Sequence, residues 1–310
     1  MARNGYAWWY LDALSDDGRH GLTVIAFLGG VFSPWYAWAR RRPGGADPLE
    51  HCALNVALYG ERRRWALTER PAGAVERGPD HLRIGPSALR WEGDSLLVSV
   101  REVTAPVPRP LRGEIRLRPA AGLNSRGFTL DPAGRHRWRP IAPAARVEVA
   151  MERPALNWTG AAYFDTNDGD APLEQDFERW DWCRAPLPGG GAGVLYNVEP
   201  RGGGARSLAL RVRPDGGVED APPPPPSRLP PTRLWRMPRP FRAEAGAEPR
   251  VARTLEDTPF YSRSVVSTRI FGESVEAVHE SLSLDRFRAP WTQAMLPFRV
   301  PRAFRAGPTA

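Results

Sequence analysis

The chain has no lysine. All 43 of its basic residues are arginine, and they outnumber 35 acidic residues to give a net charge of +8. Without lysine the protein cannot form a Schiff base with pyridoxal phosphate or a carbonyl substrate. It also lacks the lysine that a phosphate-binding loop requires. The arginines are spread along the chain without a nucleic-acid-binding motif. We therefore predict no nucleic-acid partner, and weak attraction to an anionic membrane surface fits the charge equally well.

Cysteine is scarce, and long hydrophobic runs are missing. Cys52 and Cys183 make no disulfide framework and match no zinc-binding spacing, so we expect reduced thiols in a cytoplasm. The longest apolar run covers residues 22–32, which is shorter than the ~20 residues that span a bilayer. The first residues do not have the pattern of a secretory signal. These features predict a cytoplasmic protein without a membrane-spanning segment.

Motifs of the common catalytic machineries are also missing. The five histidines are not spaced as metal ligands. The segment Asp165–Asp170 departs from a calcium-binding loop, because its turn glycine and its final acidic ligand are out of place. Neither a serine nucleophile elbow nor a dinucleotide-binding glycine motif occurs. We therefore predict no metal site.

The chain does contain many short apolar segments with the spacing of β-strands. Residues 111–118 alternate without exception between small or apolar side chains and charged ones, which is typical of a half-buried antiparallel strand. Turn signals recur every 8–12 residues or so, as in all-β proteins. A short helix is expected over residues 172–180, which begin with proline. The predicted fold class is all-β with few short helices, arranged as two antiparallel barrels or sandwiches in series.

The length of 310 residues also favours two domains. Arg153-Pro154 interrupts a predicted strand, so we place the boundary there, with an N-terminal domain at residues 1–152 and a C-terminal domain at residues 153–305. The proline-rich segment 222–231 falls inside the second domain. It is either a linker or an edge crossing between strands, because strand signals resume after it.

Carboxylates and aromatic side chains concentrate between residues 158 and 182. The group comprises Trp158, Tyr163, Phe164, Asp165, Phe177, Trp180, Asp181 and Trp182. One interpretation is a turn rich in Asp, Asn and Gly, with its aromatic side chains in the core. The other is a carboxylate in an aromatic pocket, where burial raises its pKa and keeps it protonated as a general acid. Trp8 and Tyr10 share one strand face and are open to the same two interpretations, core or ligand cavity.

Several long segments carry a resemblance to a known family. They are Gly5–Gly21, His51–Gly60, Gly85–Trp91, Arg135–Trp138, Arg179–Trp182, Leu255–Tyr261 and His279–Phe287. Together they resemble the carotenoid 1,2-hydratase, or hydroxyneurosporene synthase, family of purple photosynthetic bacteria. The resemblance implies two lipocalin-like β-barrels in tandem. It also implies addition of water across the terminal 1,2 double bond of an acyclic carotene such as neurosporene or lycopene, giving a tertiary alcohol with no cofactor.

Hydration of such an alkene requires a proton donor, shielding of a tertiary cation and delivery of one water. A carboxylic acid with a raised pKa is a natural donor, and aromatic faces stabilise cations. The string from Tyr163 through Asp165 to Asn167 resembles the catalytic-aspartate segment of the family. In a strand these three side chains share one face. We therefore predict Asp165 as the acid, Tyr163 as its partner and Asn167 as the residue that holds the water.

Other residues are candidates for binding the substrate or for replacing Asp165. The predicted aromatic wall consists of Trp158, Trp180, Trp182 and Tyr196. Additional lining candidates are His51, Asn55 and Tyr261. The alternative acids are Asp12, Asp181, Asp257 and Asp285.

The predicted substrate determines where the protein must work. Carotenes are uncharged and reside in membranes, so we expect a cytoplasmic protein attached peripherally to the photosynthetic membrane. Two other functions stay open, because one fold supports many chemistries. They are a non-catalytic carrier of carotenoids or other isoprenoids, and a related cyclase that acts on an apolar polyene. The preferred carotene, hydration of one end or both, and the oligomeric state also stay open.

Overall fold

The first part of the chain forms one large antiparallel sheet. The computed structural model describes residues 1–303. Its first sheet has twelve strands in the order β4-β3-β2-β1-β12-β11-β9-β8-β7-β6-β5, with β10 paired to β11. The strands are β1 Tyr6–Ser15, β2 Gly21–Leu28, β3 Cys52–Tyr59, β4 Arg64–Arg70, β5 Val75–Arg77, β6 His81–Ile84, β7 Ser87–Glu92, β8 Ser95–Val103, β9 Pro110–Pro119, β10 Phe128–Thr129, β11 His136–Arg153 and β12 Ala155–Gly169.

This sheet curls into a nearly closed barrel. Strand β4, at one end of the sheet, contacts β8, which lies near the other end. Register shifts in β11 between Pro140 and Ala145 bend the long β11–β12 pair, because a bulge adds local twist to a strand. The inside is a packed core with side chains from most strands, including Leu11, Val24, Leu54, Ile84, Val98, Ile115, Val147 and Phe164.

Strand β9 confirms the alternation that the sequence shows at residues 111–118. Leu111, Ile115 and Leu117 are fully buried in the barrel, whereas Arg112 and Arg118 are exposed. The period-two pattern therefore predicted both the strand and the face that it buries.

The second sheet has seven strands in the order β16-β15-β14-β13-β21-β20-β19, and β17 and β18 form a separate two-stranded ribbon. One face packs against the ribbon through an apolar core that includes Leu195, Phe241 and Val266. The opposite face packs against the outside of the barrel. The strands are β13 Phe177–Pro186, β14 Ala192–Pro200, β15 Arg206–Val212, β16 Val218–Ala221, β17 Pro226–Leu229, β18 Arg239–Arg242, β19 Arg250–Asp257, β20 Tyr261–Ile270 and β21 Glu273–Ser283.

Helices are few and short. They are α1 Pro34–Ala39, α2 Leu173–Asp176, α3 Leu284–Arg288 and α4 Pro290–Met295, with 3-10 turns at Pro48–Glu50, Ala72–Ala74 and Leu296–Phe298. The helix predicted over residues 172–180 is a single turn, α2. From Phe177 onward the chain is strand β13, because Trp180 and Trp182 alternate into the core between the sheets. Across residues 1–303, no helix is both long enough and apolar enough to cross a membrane.

The prediction of an all-β chain with few short helices is confirmed. The predicted domain border at residues 152 and 153 stays a prediction, but the sheets change later in the chain. Strand β12 begins at Ala155 and pairs with both β1 and β11, so the first sheet continues to Gly169 and the second begins at Phe177. Residues 304 and 305, the end of the predicted second domain, lie outside the described residues.

Buried charges connect the two sheets. Asp12 on the outer face of β1 forms ion pairs with Arg184 of β13 and Arg263 of β20, and all three side chains are at most 2% exposed. Arg263 also pairs with Glu280 of β21. A buried charge is tolerated only when it is paired. These pairs therefore fix the second sheet to one place on the barrel.

Removing the Asp12 carboxylate should strongly destabilise the folded protein. We expect Asp12→Ala to lower the free energy of unfolding by about 3–5 kcal/mol, because Arg184 is left buried without a carboxylate. The control is Asp16→Ala, which removes a half-exposed pair with Arg146 and should cost less than about 1 kcal/mol. The measurement is urea unfolding of the wild type and both variants. Equal losses in the two variants would contradict a special role for the buried pairs.

Candidate active site

A cavity of about 500 Å³ lies between the barrel and the second sheet. Its walls come from β1, β2, β3, β4 and β12 on the barrel side and from β13, β14, β19, β20 and β21 on the other. Residues 292–300 border the cavity as well. The volume is within the range of roughly 300–1,000 Å³ that is usual for small-molecule sites.

Strand alternation gives this cavity its aromatic walls. On β1, Leu11 and Ala13 point into the barrel, so Trp8 and Tyr10 point outward into the cavity. From the second sheet, Trp180 approaches Trp8 with ring centroids 5.8 Å apart. Trp182 approaches Tyr10 at 5.4 Å. Desolvated aromatic faces of this kind are suited to a cationic intermediate.

Asp165 of β12 is the most distinctive carboxyl group in the cavity. It is 3% exposed, and its Oδ2 accepts hydrogen bonds from Trp138 Nε1 and from the Tyr163 hydroxyl, both at 2.8 Å. Its Oδ1 has no hydrogen-bond partner among the described residues. Burial raises the pKa of Asp165 to about 7, although the two donated hydrogen bonds oppose the shift. The protonated acid is therefore well populated near neutral pH, where an ordinary aspartate is ionised.

The two oxygens of Asp165 are in different environments. Burial keeps the pKa of the Tyr163 hydroxyl well above its ordinary value, so Tyr163 stays a donor. An indole nitrogen such as that of Trp138 can only donate. Because Oδ2 already accepts two hydrogen bonds, the acidic proton resides on Oδ1. The carboxyl group thus has its acidic proton on the oxygen without a partner.

Asn167 and Tyr196 form a polar pair beside Asp165. The Asn167 Nδ2 donates to the Tyr196 hydroxyl at 3.0 Å, and both residues line the cavity. Burial raises the pKa of Tyr196 well above its ordinary value. Since the Tyr196 oxygen accepts from Asn167, its own proton is available to a water or substrate oxygen.

Glu280 supplies a second carboxylate to the cavity wall. Its Oε1 accepts a hydrogen bond from the Tyr10 hydroxyl at 2.6 Å and forms the ion pair with Arg263. Burial is the main cause of the raised pKa of Asp165, and the charge of Glu280 adds to it. The site therefore combines an acid of raised pKa with a second carboxylate that is ion-paired to Arg263.

The structure brings most of the predicted lining residues together but places two elsewhere. Asn55, Tyr261, Trp180, Trp182 and Tyr196 all line the cavity with Asp165. Trp158 packs against the barrel interior, because even-numbered residues of β12 point inward. His51 precedes β3, bonds to Glu69 at 2.9 Å and lies against the ring of Tyr36.

The alternative acids differ in position. Asp12 belongs to the ion pairs between the sheets. Asp181 points away from the cavity and accepts from Ser281 at 2.7 Å. Asp285 is exposed and pairs with Arg201 at 2.7 Å. Asp257 does line the cavity, but its two oxygens accept the backbone N–H groups of residues 234 and 235.

Sequence analysis missed two important side chains, Trp138 and Glu280. Trp138 of β11 reaches Asp165 because β11 and β12 form a hairpin. Glu280 belongs to β21, which is distant in sequence from β1 and β12 on the opposite side of the cavity. Both residues lie inside segments that carry the family resemblance, Arg135–Trp138 and His279–Phe287. That resemblance was the one signal in the sequence that could have identified them as site residues.

Comparison with known proteins identifies a family. The model of the family described as carotenoid hydratase CrtC matches residues 24–307. The chain is 60% identical over 299 residues to the acyclic carotenoid 1,2-hydratase of Thiocapsa roseopersicina, an alignment that covers 96% of this chain and 73% of that protein. It is 49% identical over 300 residues to the acyclic carotenoid 1,2-hydratase of Rubrivivax gelatinosus, with the same coverage.

A solved structure has a similar fold. Kievitone hydratase from Nectria haematococca shares 9% sequence identity, covers 92% of this chain and 92% of its own, and superimposes with a TM-score of 0.57. At this identity the likeness shows a common fold, which therefore extends over most of both chains.

The raised pKa of Asp165 predicts how stability depends on pH. The folded protein holds this proton more tightly than the unfolded chain, whose aspartate pKa is about 3.9. The free energy of unfolding should therefore fall as pH rises between about 4 and 7, by about 4 kcal/mol relative to Asp165→Asn. Urea unfolding of both proteins across this range measures the difference. The exposed Asp94→Asn is the control, and a wild-type curve parallel to that of Asp165→Asn would contradict the assignment.

Proposed function

The chain belongs to the carotenoid hydratase family, and on that premise we propose that it hydrates the terminal 1,2 double bond of acyclic carotenes such as neurosporene and lycopene. The product is a tertiary alcohol, and the enzyme is a hydro-lyase of carotenoid biosynthesis. The observation that supports this most directly is Asp165, a buried acid in an aromatic cavity whose Oδ1 has no hydrogen-bond partner within residues 1–303. Glu256 also lines the cavity and has a pKa raised by burial, but its Oε1 accepts a hydrogen bond from the Tyr59 hydroxyl. At Asp165 the raised pKa coincides with an oxygen that is free to donate its proton.

The first step is proton transfer from Asp165. The Oδ1–H bond breaks, the π electrons of the alkene form a new C–H bond at C2, and a tertiary cation remains at C1. The carboxylate that forms keeps its hydrogen bonds from Trp138 and Tyr163. Hydrogen bonds to a charged acceptor are stronger than those to a neutral one, so these donors favour the transition state over the ground state.

The cavity then protects the cation. The faces of Trp8, Trp180 and Trp182 line it, and each is worth up to about 2 kcal/mol to a desolvated cation. Glu280 adds a fixed negative charge, held by Tyr10 and Arg263. Such prearranged charges need no reorganisation during the reaction.

Water completes the cycle. Asn167 and Tyr196 hold one water beside Asp165, and the water oxygen bonds to C1. The surplus proton of that water returns to the Asp165 carboxylate and regenerates the acid. One water is consumed and no electrons are exchanged, so this scheme requires no cofactor.

We also propose a domain arrangement and a location. Each of the two sheets is the framework of one lipocalin-like unit, and the border falls at residues 170–176, where the chain leaves β12 for β13. The sequence-based border at residues 152 and 153 would divide the β11–β12 hairpin. The protein works from the cytoplasm, attached peripherally to the photosynthetic membrane.

The direct test is conversion of lycopene or neurosporene in detergent by the wild type, Asp165→Asn and Asp285→Asn. In deuterated water the wild type should give a product one water heavier, with solvent deuterium on carbon. Asp165→Asn should lose about 10²–10⁴-fold in rate, while the control Asp285→Asn, which changes an exposed acid, stays active.

The other outcomes identify the competing functions. A product isomeric with its substrate would indicate a cyclase. Pigment that binds tightly and stays unchanged, with or without Asp165, would indicate a carrier. Equal hydration by the wild type and Asp165→Asn would assign the acid to another carboxyl group.

The donors to Asp165 Oδ2 should control the pH profile. Activity requires protonated Asp165, so kcat should fall as pH rises through about 7. Trp138→Phe and Tyr163→Phe each remove a hydrogen bond that stabilises the carboxylate. Each should therefore lower kcat and move the descending limb of the pH–rate profile, where kcat falls, to higher pH. A pH–rate series on the three proteins is the measurement. A limb that stays in place in both variants would contradict the assignment of Asp165 as the titrating acid.

A further inference from the structure

Four large apolar side chains are exposed to solvent on one side of the molecule. Leu234 and Phe298 are each 74% exposed, Trp291 is 48% exposed and Met295 is 38% exposed. We call these four residues the mouth patch. Scattered apolar side chains are ordinary on a protein surface, but a group of them marks a contact site.

The mouth patch borders the cavity. Met295 and Phe298 line it directly. Trp291 stacks on Trp235, another lining residue, with ring centroids 5.9 Å apart. Leu234 precedes Trp235 in the chain, and its N–H donates to the cavity-lining Asp257 at 2.7 Å. The patch therefore lies at a solvent-exposed edge of the cavity.

Helix α4 carries part of this patch and exposes apolar side chains while it buries polar ones. Its polar Thr292 and Gln293 are buried, while Trp291 and Met295 are exposed. Gln293 is fixed by a 2.7 Å bond to the carbonyl of Phe287. A helix that faces water presents its polar side outward, so this one is arranged for an apolar neighbour.

Four arginines lie close to the mouth patch in the chain. Arg233, Arg236, Arg288 and Arg299 are exposed and adjacent to it in the chain. Within residues 1–303 none of the four forms an ion pair with a carboxylate, whereas Arg118 and Arg146 on the barrel each have such a partner. An apolar centre with an uncompensated cationic rim is complementary to anionic lipid headgroups above a hydrocarbon layer.

We propose that the mouth patch docks on the surface of an anionic lipid bilayer and that the substrate enters the cavity directly from the hydrocarbon. This inference rests on the proposed function, which supplies a substrate that is insoluble in water. A cavity of about 500 Å³ suits a drug-sized ligand, and an acyclic carotene is longer. The cavity therefore holds one end of the carotene, while the rest of the carotene extends through the opening into lipid.

Vesicle flotation tests the docking without relying on catalysis. The wild type should bind vesicles of phosphatidylcholine with phosphatidylglycerol, and bind phosphatidylcholine alone about tenfold more weakly. The double variant L234E/W291E should lose binding to both. The control is Leu123→Glu, which changes a leucine that is 51% exposed outside the patch, and it should bind as the wild type does. A second pair of changes, R233Q/R288Q, should lose only the preference for anionic lipid.

Activity in two media separates this proposal from the proposed function. With carotene in detergent, L234E/W291E should match the wild type, because neither residue lines the cavity. With carotene in anionic vesicles its rate should fall about tenfold or more. A wild type that hydrates carotene in detergent but ignores both vesicle types would overturn the docking alone. A wild type that binds vesicles but converts nothing would overturn the proposed function.

One further outcome would assign the patch to a different occupant. If the wild type is a dimer that L234E/W291E converts to monomers, and vesicle binding is unchanged, the patch is a contact between two copies of the chain and the membrane proposal is wrong. Sedimentation velocity measures the association state directly.

Discussion

The arrangement of the whole molecule depends on buried ion pairs between two β-sheets. Asp12 on the outer face of the barrel forms ion pairs with Arg184 and Arg263 from the second sheet, and all three side chains are at most 2% exposed. Because an unpaired charge there is costly, the sheets have one favoured register. That register sets the aromatic side chains of β1 opposite those of β13 and leaves the cavity between them.

The same burial determines the chemistry of Asp165. In water an aspartate is ionised at neutral pH, whereas here the low dielectric favours the neutral acid. Trp138 and Tyr163 then occupy one carboxyl oxygen and leave the other for the substrate. Proton donation and stabilisation of the resulting carboxylate are therefore assigned to different atoms of one side chain.

Local sequence patterns predicted what depends on strand alternation. The shared face of Tyr163, Asp165 and Asn167 follows from period two, and the same parity explains why Trp158 points into the barrel instead. His51 was predicted to share a strand face with Asn55, but β3 begins one residue after it, and its side chain contacts Glu69 instead of the cavity. The pairing between strands was not predicted by local patterns. The pairing of β11 with β12 in a long hairpin brings Trp138 to Asp165 and also moves the change of sheet beyond residues 152 and 153.

The central claim is that Asp165 protonates a carotene whose end lies inside the cavity. It is tested most directly by a crystal structure of Asp165→Asn with a bound acyclic carotene. The account predicts C2 of the terminal double bond within about 3.5 Å of the residue 165 side chain, with the polyene leaving past Phe298. A carotene end positioned away from residue 165, or a chain bound outside this cavity, would contradict it.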